Sequence, residues 1–109
     1  MALASSHLHI LLSLVSGDRH GYSIMKEAAA ISGGDFTLGP GALYLALGKL
    51  TDQGLIEEIE ERPAPELDDA RRRYYRITPV GGAELGAELG RLERIVSYAE
   101  VRGLRWNPA

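Results

Sequence analysis

The chain has 109 residues, 45% of them hydrophobic and 25% charged, one domain's worth of ordinary globular composition that excludes a disordered chain. With no cysteine, disulfides, thiolate metal sites and cysteine nucleophiles are excluded. The formal net charge of −3 argues at first sight against a nucleic-acid partner, although its distribution along the chain says more than its sum.

The opening MALASSHLHILLSLVSG lacks a basic leading region and keeps histidines and serines among its leucines. It reads as a folded helix rather than a signal peptide. No apolar run approaches the roughly 20 residues of a membrane span, so a soluble, cytoplasmic protein is expected. Leu8, Leu11, Leu12 and Val15 fall on one helical face, with Ile10 and Leu14 on a second. A short helix apolar on two sides is expected to be sandwiched, here between its own domain and a partner subunit. Ser5 is the expected N-cap and Gly17 the expected stop. His20 to about Ser32 reads as a second helix with Tyr22, Met25, Ala28, Ala29 and Ile31 toward the core.

A third helix is expected from Gly39-Pro40, because proline is favoured in a first turn. Leu43, Leu47 and Leu50 form its inner stripe, and Gly54 is a natural residue to follow its end. Two strands follow, Leu55 to about Glu61 and Arg72 to Thr78, joined by a proline- and acid-rich loop too long for a tight turn. Thr78-Pro79 opens a last helix of up to about 27 residues. In it Leu85, Leu89, Leu92, Val96, Ala99, Gly103 and Trp106 recur at alternating four- and three-residue steps. Such a heptad seam is too long for so small a body to cover, so the helix is expected to pack against another copy. Gly82, Gly86 and Gly90 recur every fourth residue; they either admit a close neighbouring backbone or leave the first turns frayed.

Charge is unevenly spread. Residues 1–53 carry three basic and four acidic side chains, 54–70 one and seven, 71–76 four arginines and no acid, and 77–109 four of each. The only dense basic cluster thus follows directly on the acidic stretch, and a local patch of this kind can bind phosphate on an acidic protein. The order helix, helix, helix, strand, strand, helix is that of a winged helix-turn-helix. The expected fold class is mostly α with a small β-hairpin: residues 1–78 form the winged helix-turn-helix and 79–109 a long C-terminal dimerisation helix.

HGYSIMKE at 20–27, GPGALYLALGKLTDQGLIE at 39–57 and RRRYYRITPVG at 71–81 together resemble the PadR family of transcriptional regulators. With the leading leucine helix the match covers about residues 5–82. The single helix after the wing resembles the smaller PadR class, which dimerises through it. The resemblance implies a homodimeric repressor on double-stranded DNA, acting at a near-palindromic operator, its third helix in the major groove and its wing along the neighbouring backbone. The residues suited to DNA contact are Thr37, Gly39, Gly41, Tyr44, Lys49, Arg71, Arg72 and Arg73. Gly39 and Gly41 stand at a helix N-terminus, which suits phosphate; Tyr44 and Lys49 offer a hydroxyl and a cation. On the second strand Arg73 and Tyr75 should share one face, Arg72 and Tyr74 the other.

Two departures stand out. Leu45 follows Tyr44 where family members usually carry proline. Between Thr37 and Leu50 there is no Arg, Asn or Gln, the side chains best suited to bidentate base readout, so recognition should lean on DNA shape and half-site spacing. The acidic wing tip, Glu66, Asp68 and Asp69, is expected to point away from the duplex or to be disordered. The expected dimer interface comprises Leu8, Leu12, Leu85, Leu89, Leu92, Val96, Ala99 and Trp106. PadR-like regulators often respond to flat aromatic or hydrophobic molecules, so Leu8, Leu12, Val96, Ala99 and Trp106 are also candidates for lining an effector site. A simple packing role at the dimer seam is the competing reading of Trp106.

His7 and His9 diverge on their helix, so a shared metal is not expected, and no cofactor is implied. No phosphate-cradling loop, nucleophile elbow or H-E-x-x-H pair is present, so an enzyme is not expected. The alternative function is a winged-helix protein-interaction module that no longer binds DNA, consistent with the negative charge and the acidic strip at 57–69.

Overall fold

A computed structural model of the chain describes residues 3–59 and 73–104. The elements run α1 (Ser5–Ser13), β1 (Arg19–His20), α2 (Gly21–Ile31), α3 (Pro40–Asp52), β2 (Ile56–Ile59), β3 (Tyr74–Ile77) and α4 (Pro79–Val101). The three-helix body, wing strands and long last helix expected from the sequence are all present. The sheet has three strands rather than two, in the antiparallel order β1-β3-β2. The additional strand pairs Arg19 with Tyr75 and His20 with Tyr74.

The core gathers Ile10, Leu11 and Leu14 of the first helical segment, Ile24 of α2, Leu43, Leu47 and Leu50 of α3, then Leu55, Ile56, Tyr75 and Leu85. Leu8, Leu12 and Met25 pack against its margin. The inner stripe of α3 is the expected one. Its start at Pro40 follows the missing-donor argument, and Gly54 takes the positive φ of +75° that ends it.

Other local expectations are corrected. Ala4, not Ser5, is the N-cap of α1. The helix stops at Ser13 rather than near Gly17, because the Arg19 guanidinium takes the Ser13 carbonyl at 2.7 Å and the Gly17 N–H turns instead to Leu14. Val15 and Ile31 are exposed, and Tyr22 is 60% exposed. Ile24 fills the place in the core expected for Tyr22. On β3 the expected alternation fails, since Tyr74 and Tyr75 are both buried. β3 is the central strand of the sheet: Tyr75 joins the core while the His20 ring covers Tyr74 edge-on, centroids 5.4 Å apart.

The junction into α4 is built from one threonine. The Thr78 hydroxyl donates to the Gly54 carbonyl at 2.6 Å and accepts the Gly81 N–H at 3.0 Å, while its own N–H reaches the Leu55 carbonyl at 3.0 Å. This is the N-cap read from Thr78-Pro79. α4 is continuous from Pro79, without frayed first turns, and ends at Val101. Gly103 has φ +87° and so leaves the helix rather than extending the heptad seam. The wing tip with Glu66, Asp68 and Asp69, together with Arg71, Arg72 and Trp106, lies outside the described residues.

Candidate nucleic-acid interface

α3 turns its apolar stripe inward and leaves Gly41, Ala42, Tyr44, Leu45, Gly48 and Lys49 exposed. Its N-cap is Gly39, with no side-chain cap and no acid in the first turn, so the leading N–H groups face outward with their partial positive charge intact. Thr37 is exposed in the loop just before them.

Tyr44 occupies the flank of α3 toward α2. Its ring lies so close to Gly21 that a Cβ added there would stand 2.8 Å from the Tyr44 hydroxyl and 3.3 Å from Leu43. A side chain at the glycine of the HGY string would thus meet the outer end of the Tyr44 side chain, which would have to swing aside. His20, before it, caps α2 by accepting the Ser23 N–H on Nδ1 at 3.3 Å. Lys49 stands on the other flank, near α1: burial and then the Lys49 ammonium push the His7 imidazole below its usual range.

The wing base meets α3 at Tyr75. Burial, followed by the nearby Glu58 carboxylate, pushes the Tyr75 phenol up, opposed first by the positive charge of Arg73 and then by a hydrogen bond from it; Tyr44 is close enough to add to the upward push. Tyr44 and Arg73 are thus brought to one neighbourhood through Tyr75. Arg73 is exposed and 3.7 Å from Glu58. Arg76 forms a two-pronged pair with Asp18, at 3.3 and 3.0 Å. Two of the four arginines counted as a basic cluster therefore have acidic partners within the chain. Sequence reasoning missed Asp18 because it lies 58 residues from Arg76. It also missed Arg19, which ties the end of α1 to α2 through the Ser13 carbonyl, the Ser16 and Ser23 hydroxyls and Glu27.

The expected partner-facing residues divide. Leu85 is 4% exposed and belongs to the chain's own core, which corrects its assignment to the dimer seam: the first turn of the stripe is covered by the body. Leu8 and Leu12 are partly buried at the core margin. Leu92 and Ala99 are half-buried, whereas Leu89 and Val96 are exposed. No described residue of α4 after Glu88 is buried. Glu88 itself is held by Arg91 through two bonds of 2.9 and 2.8 Å and accepts the Leu3 N–H; the Arg91 bonds hold its carboxyl below the usual range. A shallow hollow on α4 is lined by Arg91, Arg94, Ile95 and Tyr98, none of them among the residues considered for an effector.

Residues 10–87 match the transcriptional regulator PadR-like family. The chain belongs to that family. This PadR-like chain is 34% identical over 92 residues to the transcriptional regulator Rv3488 of Mycobacterium tuberculosis, covering 84% of this chain and 79% of that protein. It is 32% identical over 95 residues to a 37.1 kDa protein of transposon TN4556 from Streptomyces fradiae; the match takes in 87% of this chain but spans only 25% of that relative's length. Among solved structures, a PadR family transcription regulator from Clostridium difficile superposes with a TM-score of 0.73 at 25% identity, over 89% of this chain and 96% of that one. A transcriptional regulator from Clostridium thermocellum gives 0.70 at 25% identity, over 92% and 90%. The PadR-like chain is thus a winged-helix transcriptional regulator, not an enzyme. No helix among the described residues is long and apolar enough to cross a membrane.

Proposed function

We propose that this PadR-like regulator is a homodimeric repressor that binds a near-palindromic operator in double-stranded DNA, with α3 in the major groove and the wing along the adjacent backbone. The observation that carries the reading is the outward side of α3. It begins in an uncapped, acid-free helix N-terminus and is flanked by Lys49 on one side and by Tyr44 and Arg73 on the other. Gly39, Gly41 and Thr37 meet a phosphate at the N-terminal end; Tyr44, Lys49 and Arg73, with Arg71 and Arg72, bracket the groove.

The dimer is supported by α4. Beyond Glu88 it carries Leu89, Ile95, Val96, Tyr98 and Val101, all exposed, and a 23-residue helix with that much uncovered apolar surface favours a second copy. Leu89, Leu92, Val96 and Ala99 continue outward the stripe that Leu85 begins in the core, and Leu8, Leu12 and Trp106 complete the proposed seam. Because α4 fixes the separation of the two recognition helices, a small hydrophobic or aromatic effector at that seam, against Leu8, Leu12, Val96, Ala99 and Trp106, releases DNA by favouring another separation.

The Arg73–Glu58 and Arg76–Asp18 pairs favour the competing reading, an interaction module without DNA binding. Lys49→Ala and Arg73→Ala separate the two. In the regulator each lowers affinity across DNA sequences and reduces the salt slope by about 1; in the module there is no DNA affinity to lose.

A further inference from the structure

The crest of α3 supports an inference that rests on the DNA-binding reading and names what part of the DNA is read. At about 100° per residue, Gly41, Leu45, Gly48 and Asp52 fall on one stripe, opposite the buried Leu43, Leu47 and Leu50. Leu45 is 64% exposed. It stands between Gly41 four residues before and Gly48 three residues after, each with open space where a side chain would be. The leucine is therefore a ridge on an otherwise low surface, and the first apolar group to reach the floor of a groove that α3 enters.

Leucine neither donates nor accepts a hydrogen bond, so the amides, carbonyls and ring nitrogens of base edges are not its partners. The one apolar group that base pairs present in the major groove is the C5-methyl of thymine. The flanking Lys49 and Arg73 serve phosphates and carry no sequence information, and Asp52 lies on the order of 16 Å along the axis from Gly41, at the end remote from base-reading first turns. We propose that Leu45 is a specificity-determining residue that reads thymine through its C5-methyl, so that each half-site carries a thymine beneath the middle of α3.

The test uses duplexes that the full chain selects from a randomised double-stranded library. They are resynthesised with deoxyuridine replacing thymine one position at a time, which removes the methyl and keeps the Watson–Crick face. Affinity is read by fluorescence anisotropy. At one thymine per half-site the substitution should weaken binding roughly fourfold, and about sixteenfold when made in both halves. Leu45→Ala, an exposed change whose fold is checked by circular dichroism, should bind the thymine and uracil duplexes equally. A selected half-site without thymine, or the same thymine-to-uracil ratio in Leu45→Ala as in the wild type, overturns the proposal while DNA binding stands. Failure to select any duplex overturns the DNA-binding reading and this one with it.

Discussion

Gly81→Ala should unfold this domain at markedly lower temperature, although alanine is the better helix former. A Cβ at Gly81 would fall inside the Leu55 carbonyl oxygen and 2.9 Å from Ile77 Cγ1. The obstruction is backbone rather than the end of a flexible side chain, and that same carbonyl accepts the Thr78 N–H. Relief requires α4 to lift from the β2 side of the wing. Overpacking of this kind costs about 1–3 kcal/mol, and weakening the Thr78 bond about 1 kcal/mol more. The helix-propensity gain of alanine returns about 1 kcal/mol, leaving a net loss of about 1–3 kcal/mol. For a domain of this size that is a fall on the order of 5–20 °C in Tm. Gly82→Ala, one residue on with nothing near its added Cβ, should instead raise stability by up to about 1 kcal/mol. Thermal melts followed by circular dichroism, at one fixed protein concentration because any self-association would shift the melting point, decide the matter. Equal stabilisation by the two substitutions would refute the close approach of Gly81 to Leu55.

Three further outcomes are expected. The His7 imidazole is held below its unfolded value, so the unfolded chain binds the extra proton first: stability is fully present above about pH 6.5 and declines as pH falls from there. Urea titrations between pH 5 and 7.5 should show this slope, and His7→Gln should flatten it. The Glu88 carboxyl is held below its usual value by Arg91, so its contribution is present above about pH 4.5 and is lost as pH falls further; in Glu88→Gln, melts at pH 4 and pH 6 should differ less than in the wild type. If the proposed dimer forms through α4, Val96→Asp with Leu89→Asp should leave a monomer in sedimentation velocity, with the circular dichroism of the helical body retained, whereas a dimer that persists in the variant would remove α4 from the interface.

What the sequence conveyed was chemistry that acts locally. Pro40 and Thr78-Pro79 mark helix starts because a missing donor and a hydroxyl cap have their effect within one turn, and Gly54 marks an end because only its backbone takes positive φ without strain. What it withheld depends on residues far apart in the chain. β1 is two residues long and exists only because Tyr74 and Tyr75 come to lie beside it, so no alternation in Arg19-His20 could announce it. The arginine cluster looked wholly cationic because Asp18 and Glu58 reach Arg76 and Arg73 only in the fold. The heptad stripe was visible, but not that its first leucine is used by the body. Gly81 offered no periodic signal at all, its role being set by a carbonyl 26 residues earlier.

The central claim is that this surface binds a specific DNA sequence, and anisotropy of labelled DNA from upstream of the protein's own gene, against a scrambled duplex across a salt series, tests it most directly. Binding confined to the upstream DNA, with log affinity falling by about 0.9 per neutralised phosphate per log unit of salt, is the result expected of an operator held by α3 and the wing base. An absence of binding to either duplex at low salt would contradict it and transfer the α3 surface to a protein partner.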